Sequence, residues 1–396
     1  MSKSLAARIY RVQLSPTVAI TAKAIALKSA GQDIITLSAG EPDFETPSHI
    51  GEAACAAIQA GKTKYTAVDG TKSLKDAIIH KLKRDNDLTF KETEIIVSSG
   101  GKQSLYNACQ ALVDEKDEVI VPAPFWASFP DMIKLAGGSP IIVQTGLESG
   151  FRITPKKLVD SITSKTRAII INSPCNPSGT AYTRCDWEGL AEVLAKHPNI
   201  YIIADDIYEH IYWGTEKYSN VLTACPELRD RTILVNGVSK SYAMTGWRIG
   251  YSAAPEPIIK AMTIIQSQST TNACSISQAA AEAALMGPQN IVREMCDAFK
   301  ERHDYVVNRF NSLNGFKCRP CEGTFYAFPN IDDALNRLHF KDDMEFCEKL
   351  LEKQGVAIVP GVAFGSPGHI RLSFAASLPT LKKAIDRIEN FINKIN

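Results

Sequence analysis

The sequence predicts an α/β fold in which a mostly parallel sheet of seven strands is followed by a smaller α+β domain. Seven short apolar runs, rich in β-branched residues, lie between residues 94 and 253. Stretches with helical periodicity separate several of these runs, and the pattern changes after about residue 290. Strands that are apolar along their whole length are typical of a sheet covered by helices on both faces.

The seven predicted strands are each five residues long and nearly continuous in apolar character. They are Glu94–Ser98, Glu118–Pro122, Pro140–Gln144, Ala168–Asn172, Ile200–Ala204, Thr232–Asn236 and Ile249–Ala253. Runs of this length with flanking turn residues favour strands over helices. An earlier helix is expected to begin at Ser73, because Leu74, Ile78 and Leu82 fall on one helical face.

The part of the chain after about residue 290 alternates helices and strands in a different order, which predicts the second domain. A long helix is expected near Val292–Leu313, and two more near Asp343–Gln354 and Pro379–Ile395. Strands are expected near Phe325–Pro329, Val356–Val359 and Ile370–Phe374.

The composition is that of an ordinary globular protein without a large charged surface. The chain has 396 residues, 45% of them hydrophobic and 22% charged, with a formal net charge of +1. This balance argues against nucleic acid or an anionic membrane as a partner. The sequence lacks an apolar run of the roughly 20 residues that a membrane helix needs, and it lacks a secretory signal. A cytoplasmic location is expected.

The ten cysteines do not form the framework of a metal site. Cys318 and Cys321 make a C-x-x-C pair, but a zinc site would need a second such pair or spaced histidines. Free thiols are therefore expected, and no metal. Gly61-Lys62-Thr63 ends like a phosphate-binding loop, but Ala56 stands where the first glycine of that loop would be.

Four of the predicted strands end in small or polar groups that suit a ligand. Ligands of open α/β sheets bind beyond the carboxyl ends of the strands. Of the adjacent Asp205 and Asp206, only one can face such a site, because successive side chains point in opposite directions. Each group alone has an ordinary structural role, but chance placement of all four is improbable. They are the Ser98–Lys102 turn, Asn176 in the Asn172–Gly179 loop, Asp205 or Asp206 with Tyr208, and Lys240 with Arg248.

At these residues the chain resembles the class I, fold-type I pyridoxal-phosphate-dependent aminotransferases, especially the bacterial-type aspartate aminotransferases. The matching stretches span nearly the whole chain in family order, and the stretch from Ser239 to Arg248 is the most specific. They are Ser38–Phe44, Lys64–Thr66, Gly100–Gln103, Asn172–Gly179, Asp205–Tyr208, Ser239–Gly250 and Arg371–Ser373.

The resemblance implies pyridoxal 5′-phosphate as the cofactor and assigns residues to its ring. Lys240 matches the lysine that binds the cofactor covalently and later carries a proton. Asp205 matches the acid that keeps the pyridine nitrogen protonated, so that the ring acts as an electron sink. Tyr208 and Asn176 match the partners of the 3′ oxygen, and Trp126 matches the aromatic ring that stacks on the cofactor.

Further residues match contacts to the cofactor phosphate. Gly100, Gly101, Lys102 and Arg248 match the phosphate and substrate-side contacts, and Ser239 and Tyr65 are further expected cofactor contacts. Lys102 also matches the lysine that serves the distal carboxylate of the substrate. The chain departs from the family pattern at two positions. Gly237 stands where some relatives have a serine, which removes one phosphate hydroxyl, and Asp206 stands where glutamate is usual.

The resemblance also assigns substrate contacts and an assembly. Arg371 matches the arginine that binds the substrate α-carboxylate, and Gly40 matches a backbone contact to the same group. With Lys102, Trp126 and Asn176 they form the expected substrate site. Tyr65 matches a residue contributed by the neighbouring subunit, as does the segment 267–272, which implies a homodimer with shared active sites.

The family fold implies a large cofactor domain of residues 48–290 and a small domain of residues 1–47 and 291–396. The expected reaction is ping-pong transfer of an amino group between amino acids and 2-oxo acids, with aspartate favoured as the donor and 2-oxoglutarate as the acceptor.

Three alternatives remain open at this stage. Aromatic amino acids, alanine or prephenate are possible substrates instead of aspartate. Another fold-type I enzyme, such as a synthase or lyase, would use the same apparatus. A sensor domain of a transcription regulator would need a DNA-binding module, for which fewer than 50 residues precede the predicted core.

Overall fold

The computed structural model describes residues 5–13 and 16–394. Twelve strands lie within these ranges. They are β1 Ile35–Thr36, β2 Ile95–Ser98, β3 Glu118–Ala123, β4 Ser139–Gln144, β5 Thr166–Asn172, β6 Tyr201–Asp205, β7 Thr232–Gly237, β8 Gly250–Ala253, β9 Tyr326–Ala327, β10 Val356–Ala357, β11 Val359–Pro360 and β12 Ile370–Ser373.

Fourteen α-helices lie within the same described ranges. They are α1 Pro16–Ser29, α2 Ser48–Gln59, α3 Lys72–Asn86, α4 Gly101–Leu112, α5 Phe129–Leu135, α6 Pro155–Ser161, α7 Arg184–Leu194, α8 Val221–Ala224, α9 Glu256–Ser267, α10 Ser275–Met286, α11 Asn290–Ser312, α12 Asp332–Arg337, α13 Asp343–Gln354 and α14 Leu378–Lys394. None of these helices is both long and apolar enough to cross a membrane.

Seven strands form the central sheet, in the order β2-β8-β7-β6-β5-β3-β4. Strands β3 to β7 are parallel to their neighbours within that group, whereas β8 is antiparallel to both β2 and β7. The predicted α/β class with a mostly parallel seven-stranded sheet is therefore confirmed. The reversal of β8 follows from the short connection between Gly237 and Gly250, which holds no α-helix to cross over the sheet.

The central sheet is covered on both faces, as the continuous apolar strands predict. Successive residues of β5 alternate between two hydrophobic clusters, with Ile169 and Ile171 in one and Ile170 in the other. All three side chains are at most 3% exposed. Burial on both faces explains why these strands are apolar at every position rather than at alternate ones.

Helix α3 begins at Lys72, one residue before the start expected at Ser73. The Thr71 side chain accepts a hydrogen bond from the Leu74 N–H at 3.4 Å, so Thr71 is the N-cap and Lys72 the first helical residue. Leu74, Ile78 and Leu82 are buried, as the helical periodicity predicts.

The C-terminal part has two small sheets and a core of its own. Strand β1 pairs with β10 in parallel, and β11, β12 and β9 form an antiparallel sheet. The expected strand Val356–Val359 is split at Ile358, because β10 and β11 pair with different partners.

The core of the C-terminal part takes in residues from both ends of the chain. Leu37 from the N-terminal segment packs in the same cluster as Phe299, Phe346 and Leu372. This clustering supports the division into residues 48–290 and residues 1–47 with 291–396, which stays a prediction. Residues 1–4, 14–15 and 395–396 lie outside the described residues.

Candidate active site

A cavity of about 290 Å³ lies beyond the carboxyl ends of the central parallel strands. Ten of the residues assigned from the sequence line it, together with four that the assignment did not include. The ten are Gly40, Gly101, Lys102, Trp126, Asn176, Asp205, Tyr208, Lys240, Arg248 and Arg371. The other four are Leu105, Asn172, Ile207 and Tyr326.

Lys240 lies in the connection between β7 and β8, partly buried within the cavity. Its amine donates a hydrogen bond to the carbonyl oxygen of Gly40. Burial, together with the nearby charges of Arg248 and Arg371, lowers the pKa of the Lys240 amine to about 8, although the charges of Glu41 and Asp205 act in the opposite direction. An amine with this pKa exchanges protons readily near neutral pH.

Asp205 is the last residue of β6 and is 5% exposed. Burial raises the pKa of its carboxyl to about 7, although the Ile207 N–H, 3.3 Å from Oδ1, and the charge of Lys240 act in the opposite direction. The carboxyl therefore needs a cationic partner to stay ionised in this setting. Asp206 does not line the cavity, and its carboxyl, also buried, has a pKa well above the usual range because of burial and the nearby Glu209.

Glycines let helix α4 begin very close to the connection that carries Lys240. Gly100 caps the helix with φ 89°, and a side chain there would overlap the Arg248 guanidinium. A side chain at Gly250 would overlap the backbone of Gly101, and a Cβ at Gly237 would lie 2.8 Å from the Ile249 oxygen. The N–H groups at the start of α4 and the Arg248 guanidinium lie where they suit an anion of the size of a phosphate.

Lys102 and Trp126 lie at the cavity wall next to this anion site. The Lys102 Nζ is 4.8 Å from the centroid of the Trp126 ring. Partial burial and the charge of Arg248 lower the pKa of the Lys102 amine. Lys102 makes no ion pair with any residue that the structure describes, so its charge is available to a ligand.

Arg371, on β12, is 3% exposed and points into the cavity without an acidic partner among the described residues. Nη1 donates to Asn176 Oδ1 at 2.9 Å and Nη2 donates to the Ser38 oxygen at 2.6 Å. Its guanidinium carbon lies 4.5 Å from the centroid of the Tyr326 ring and 4.9 Å from that of Phe364. A buried cation with free N–H groups and no counter-ion suits a carboxylate ligand.

Asn172 and Tyr326, which the sequence assignment missed, contact assigned residues of the site. Asn172 donates to the backbone oxygen of Asp205 at 2.9 Å and accepts from the Asn176 N–H at 2.7 Å. The Tyr326 hydroxyl lies 3.0 Å from the Tyr208 hydroxyl. The only sequence signal for Tyr326 is its place in the predicted strand Phe325–Pro329, which indicates burial but not a position in the site.

Three assigned residues do not line the cavity. Gly100 lies against the Arg248 guanidinium, and Ser239 is buried with its backbone oxygen accepting from the Met244 N–H at 3.1 Å. Tyr65 is 90% exposed on the surface of the single chain. Among the described residues, no group of three or more His, Cys, Asp or Glu side chains is placed to hold a metal ion.

Known proteins resemble this chain along almost its whole length. The family model for aminotransferase class I and II matches residues 32–388. The aspartate/prephenate aminotransferase of Nitrosomonas europaea is 51% identical over 98% of this chain and 100% of its own. The aspartate aminotransferase of Bacillus subtilis is 47% identical over 98% and 99% of the two chains.

The fold agrees as closely as the sequence. The crystal structure of the aspartate aminotransferase from Rhizobium meliloti superimposes with a TM-score of 0.95 at 44% identity and covers 100% of both chains. The strand order, the cavity at the strand ends and these matches lead to one conclusion. The chain belongs to the aminotransferase class I and II family.

Proposed function

We propose that this protein is a pyridoxal-phosphate-dependent aminotransferase that takes the amino group of aspartate and gives it to 2-oxoglutarate. The observation that carries the proposal is that one cavity holds Lys240, Asp205 and Arg371. A lysine, a buried acid and a buried arginine without a counter-ion are the groups that cofactor attachment, ring-nitrogen protonation and carboxylate binding require.

The residues of the cavity fit the cofactor. The first turn of α4 and Arg248 would hold the phosphate, and Trp126 would stack on the ring. Asp205 would face the ring nitrogen, whose positive charge supplies the cationic partner that the buried carboxyl lacks. Tyr208 and Asn176 would bind the 3′ oxygen. When bound, the cofactor supplies an electron sink for the bond that breaks at the substrate α-carbon.

The protein's own part in the reaction is proton transfer and orientation. Lys240, with a pKa lowered to about 8, would accept the α-proton of the substrate and carry it within the cavity. Arg371 would hold the α-carboxylate, so that the α-proton points at the lysine. The carbonyl of Gly40, which accepts from the Lys240 amine, keeps that amine within the cavity.

Lys102 would select substrates with a second carboxylate. It lies in the same cavity as Arg371 and has no ion pair with described residues. Aspartate and 2-oxoglutarate both carry a distal carboxylate, which a second cation would bind. Prephenate is the second candidate, because it is also a dicarboxylic oxo acid and the 51% identical relative is named an aspartate/prephenate aminotransferase.

We also propose a homodimer in which Tyr65 completes the site of the partner. In the single chain this side chain is 90% exposed, and Ile264 is 65% exposed. The segment around Thr66 is tied to helix α10 by a hydrogen bond of 3.1 Å to Gln278. A mixture of Tyr65→Phe and Lys240→Ala subunits should form heterodimers with one intact site. If subunit exchange is verified and no activity returns, the sites are not shared.

The test of the function has two parts. Borohydride reduction of the purified protein should fix the cofactor to Lys240, as peptide mapping would detect, and the Lys240→Ala variant should carry no label. Double-reciprocal plots with aspartate and 2-oxoglutarate should be parallel, as ping-pong exchange requires. A label on another lysine would contradict the proposed attachment, and a product without amino transfer would favour a lyase or synthase.

A further inference from the structure

Tyr326 connects the cofactor side of the cavity with its substrate side. It lies on β9 and is fully buried. Its hydroxyl is 3.0 Å from the Tyr208 hydroxyl, and its ring centroid is 4.5 Å from the Arg371 guanidinium carbon. The third neighbour is Gly40, where any side chain would overlap the Tyr326 hydroxyl. One side chain therefore contacts a proposed cofactor ligand, a proposed substrate ligand and the backbone that holds Lys240.

We propose that Tyr326 is a positioning residue with two separable roles. Its hydroxyl orients the Tyr208 hydroxyl toward the 3′ oxygen of the cofactor, and its ring orients the Arg371 guanidinium for the substrate α-carboxylate. The inference rests on the proposed function, since it assumes both the cofactor and a carboxylate substrate.

The hydroxyl role follows from counting protons. Each phenol has one proton, and among the described residues the hydroxyl of Tyr326 has no side-chain hydrogen bond other than the one to Tyr208. If Tyr326 donates to Tyr208, the proton of Tyr208 is left for an acceptor in the cavity. A hydroxyl that accepts a hydrogen bond is itself a stronger donor. Burial raises the pKa of both phenols, although the charge of Arg371 acts in the opposite direction, so both keep their protons at neutral pH.

The ring role follows from the surroundings of Arg371. Its guanidinium has two hydrogen bonds, to Asn176 and Ser38, and packs against the rings of Tyr326 and Phe364. Nε has no partner among the described residues. Aromatic faces attract the cation without using its N–H groups, so the edge of the guanidinium stays free for a carboxylate.

The hydroxyl role is tested by titrating the visible absorbance of the holoenzyme. A donor at the 3′ oxygen stabilises negative charge there, which is greatest when the nitrogen linking lysine to cofactor has lost its proton. The Tyr326→Phe variant weakens that donor, so the titration midpoint should rise by about 0.1–0.7 pH units if cooperative strengthening is 10–30% of a charge-assisted bond. In a Tyr208→Phe background, the same change should have no further effect.

Comparing Tyr326→Phe in the wild-type and Tyr208→Phe backgrounds separates the effect of the Tyr326 hydroxyl from the effects of nearby charges. Lys240 is also faced by Glu41, Arg248, Arg371 and Asp205, which are the same in all four proteins. An equal shift in both backgrounds, or none in either, would overturn the hydroxyl role. A wild-type protein without any lysine-bound chromophore would overturn the proposed function, and this inference with it.

The ring role is tested by the binding of maleate, an unreactive dicarboxylate, to the same holoenzymes. The Tyr326→Leu variant should raise the Kd of maleate by about 2- to 30-fold, as expected for a desolvated cation–π contact. Tyr326→Phe keeps the ring and should bind within about 2-fold of wild type. Equal losses in the two variants, or no loss in Tyr326→Leu, would overturn the ring role. Melting temperatures would identify a variant that fails only by unfolding.

Discussion

Lys102 offers the most direct test of substrate selection, because the structure gives it no competing acidic partner among the described residues. We expect the Lys102→Ala variant to lose activity with aspartate and 2-oxoglutarate, and to lose much less with alanine or phenylalanine. The other cations that line the cavity have proposed partners of their own: Arg371 the α-carboxylate, Lys240 the cofactor and Arg248 the phosphate.

The size of the expected loss depends on how much solvent reaches the ion pair between Lys102 and the distal carboxylate of the substrate. Lys102 is exposed in the single chain, and an exposed ion pair contributes only about 0.2–1 kcal/mol. A charge-assisted hydrogen bond shielded from water contributes about 1.5–3 kcal/mol, which is about 10- to 100-fold in kcat/KM. Substrate and a partner subunit would both cover Lys102, so we expect about a 10-fold specific loss, at the lower end of this range.

The assay is kcat/KM for aspartate and for phenylalanine with the same oxo acid. The ratio of the two cancels any general effect of removing the lysine from the Trp126 ring, 4.8 Å away. A Lys102→Met variant keeps most of the side-chain volume over that ring and serves as the packing control, while Lys134→Met tests a lysine outside the cavity. Equal losses for both classes of substrate in Lys102→Ala and Lys102→Met would refute the reasoning.

Three further outcomes follow from the described contacts. Asp205→Ala should still bind the cofactor but lose about 100-fold or more in kcat, measured at saturating substrate, because the ring nitrogen loses its anionic partner. A near wild-type kcat would contradict this role. Arg371→Lys should raise KM about 10-fold or more for every substrate alike, because lysine cannot bind a carboxylate with two parallel hydrogen bonds; a loss confined to one substrate would argue against an α-carboxylate contact. Lys81→Met should lower the free energy of unfolding by about 3–5 kcal/mol, since it leaves the buried Glu209 carboxylate unpaired. The charge of Lys81 holds the pKa of the Glu209 carboxyl below its usual value against the effect of burial, so in the variant burial should raise that pKa. The loss, measured by denaturant unfolding, should therefore shrink as the pH falls and the carboxyl of the variant is protonated. The exposed Lys83→Met is the control, and an equal effect there would contradict the buried-pair argument.

The sheet was predictable because its signal is local. A strand buried on both faces must be apolar at each position, and the seven runs carry this property in their own residues. The predicted ends lie within two residues of those in the structure. The direction of β8 was not stated by the pattern, because an apolar run reads the same in either orientation. The missing crossover helix between Gly237 and Gly250 sets that direction.

The sequence by itself also determined which strand ends carry chemistry. Asp205 directly follows a predicted buried strand, and Lys240 lies four residues beyond the predicted end of the next one. Neighbouring parallel strands bring their carboxyl ends together. Strand geometry alone left Asp205 and Asp206 as equal candidates, since alternation says only that they point apart. The family resemblance chose Asp205, and the structure has Asp205 in the cavity and Asp206 outside it.

Only the tertiary structure decided which distant side chains complete the site. Arg371 bonds to the Ser38 oxygen from 333 positions away, and Tyr326 meets Tyr208 across 118 positions. Nothing in the residues around Tyr326 distinguishes it from another buried aromatic residue of a strand. Its role arises because β9 and β12 pair side by side and the tertiary fold brings two hydroxyls, a guanidinium and a glycine within contact distance. Such contacts depend on the packing of whole elements, whereas strand apolarity depends only on the residues of the strand itself.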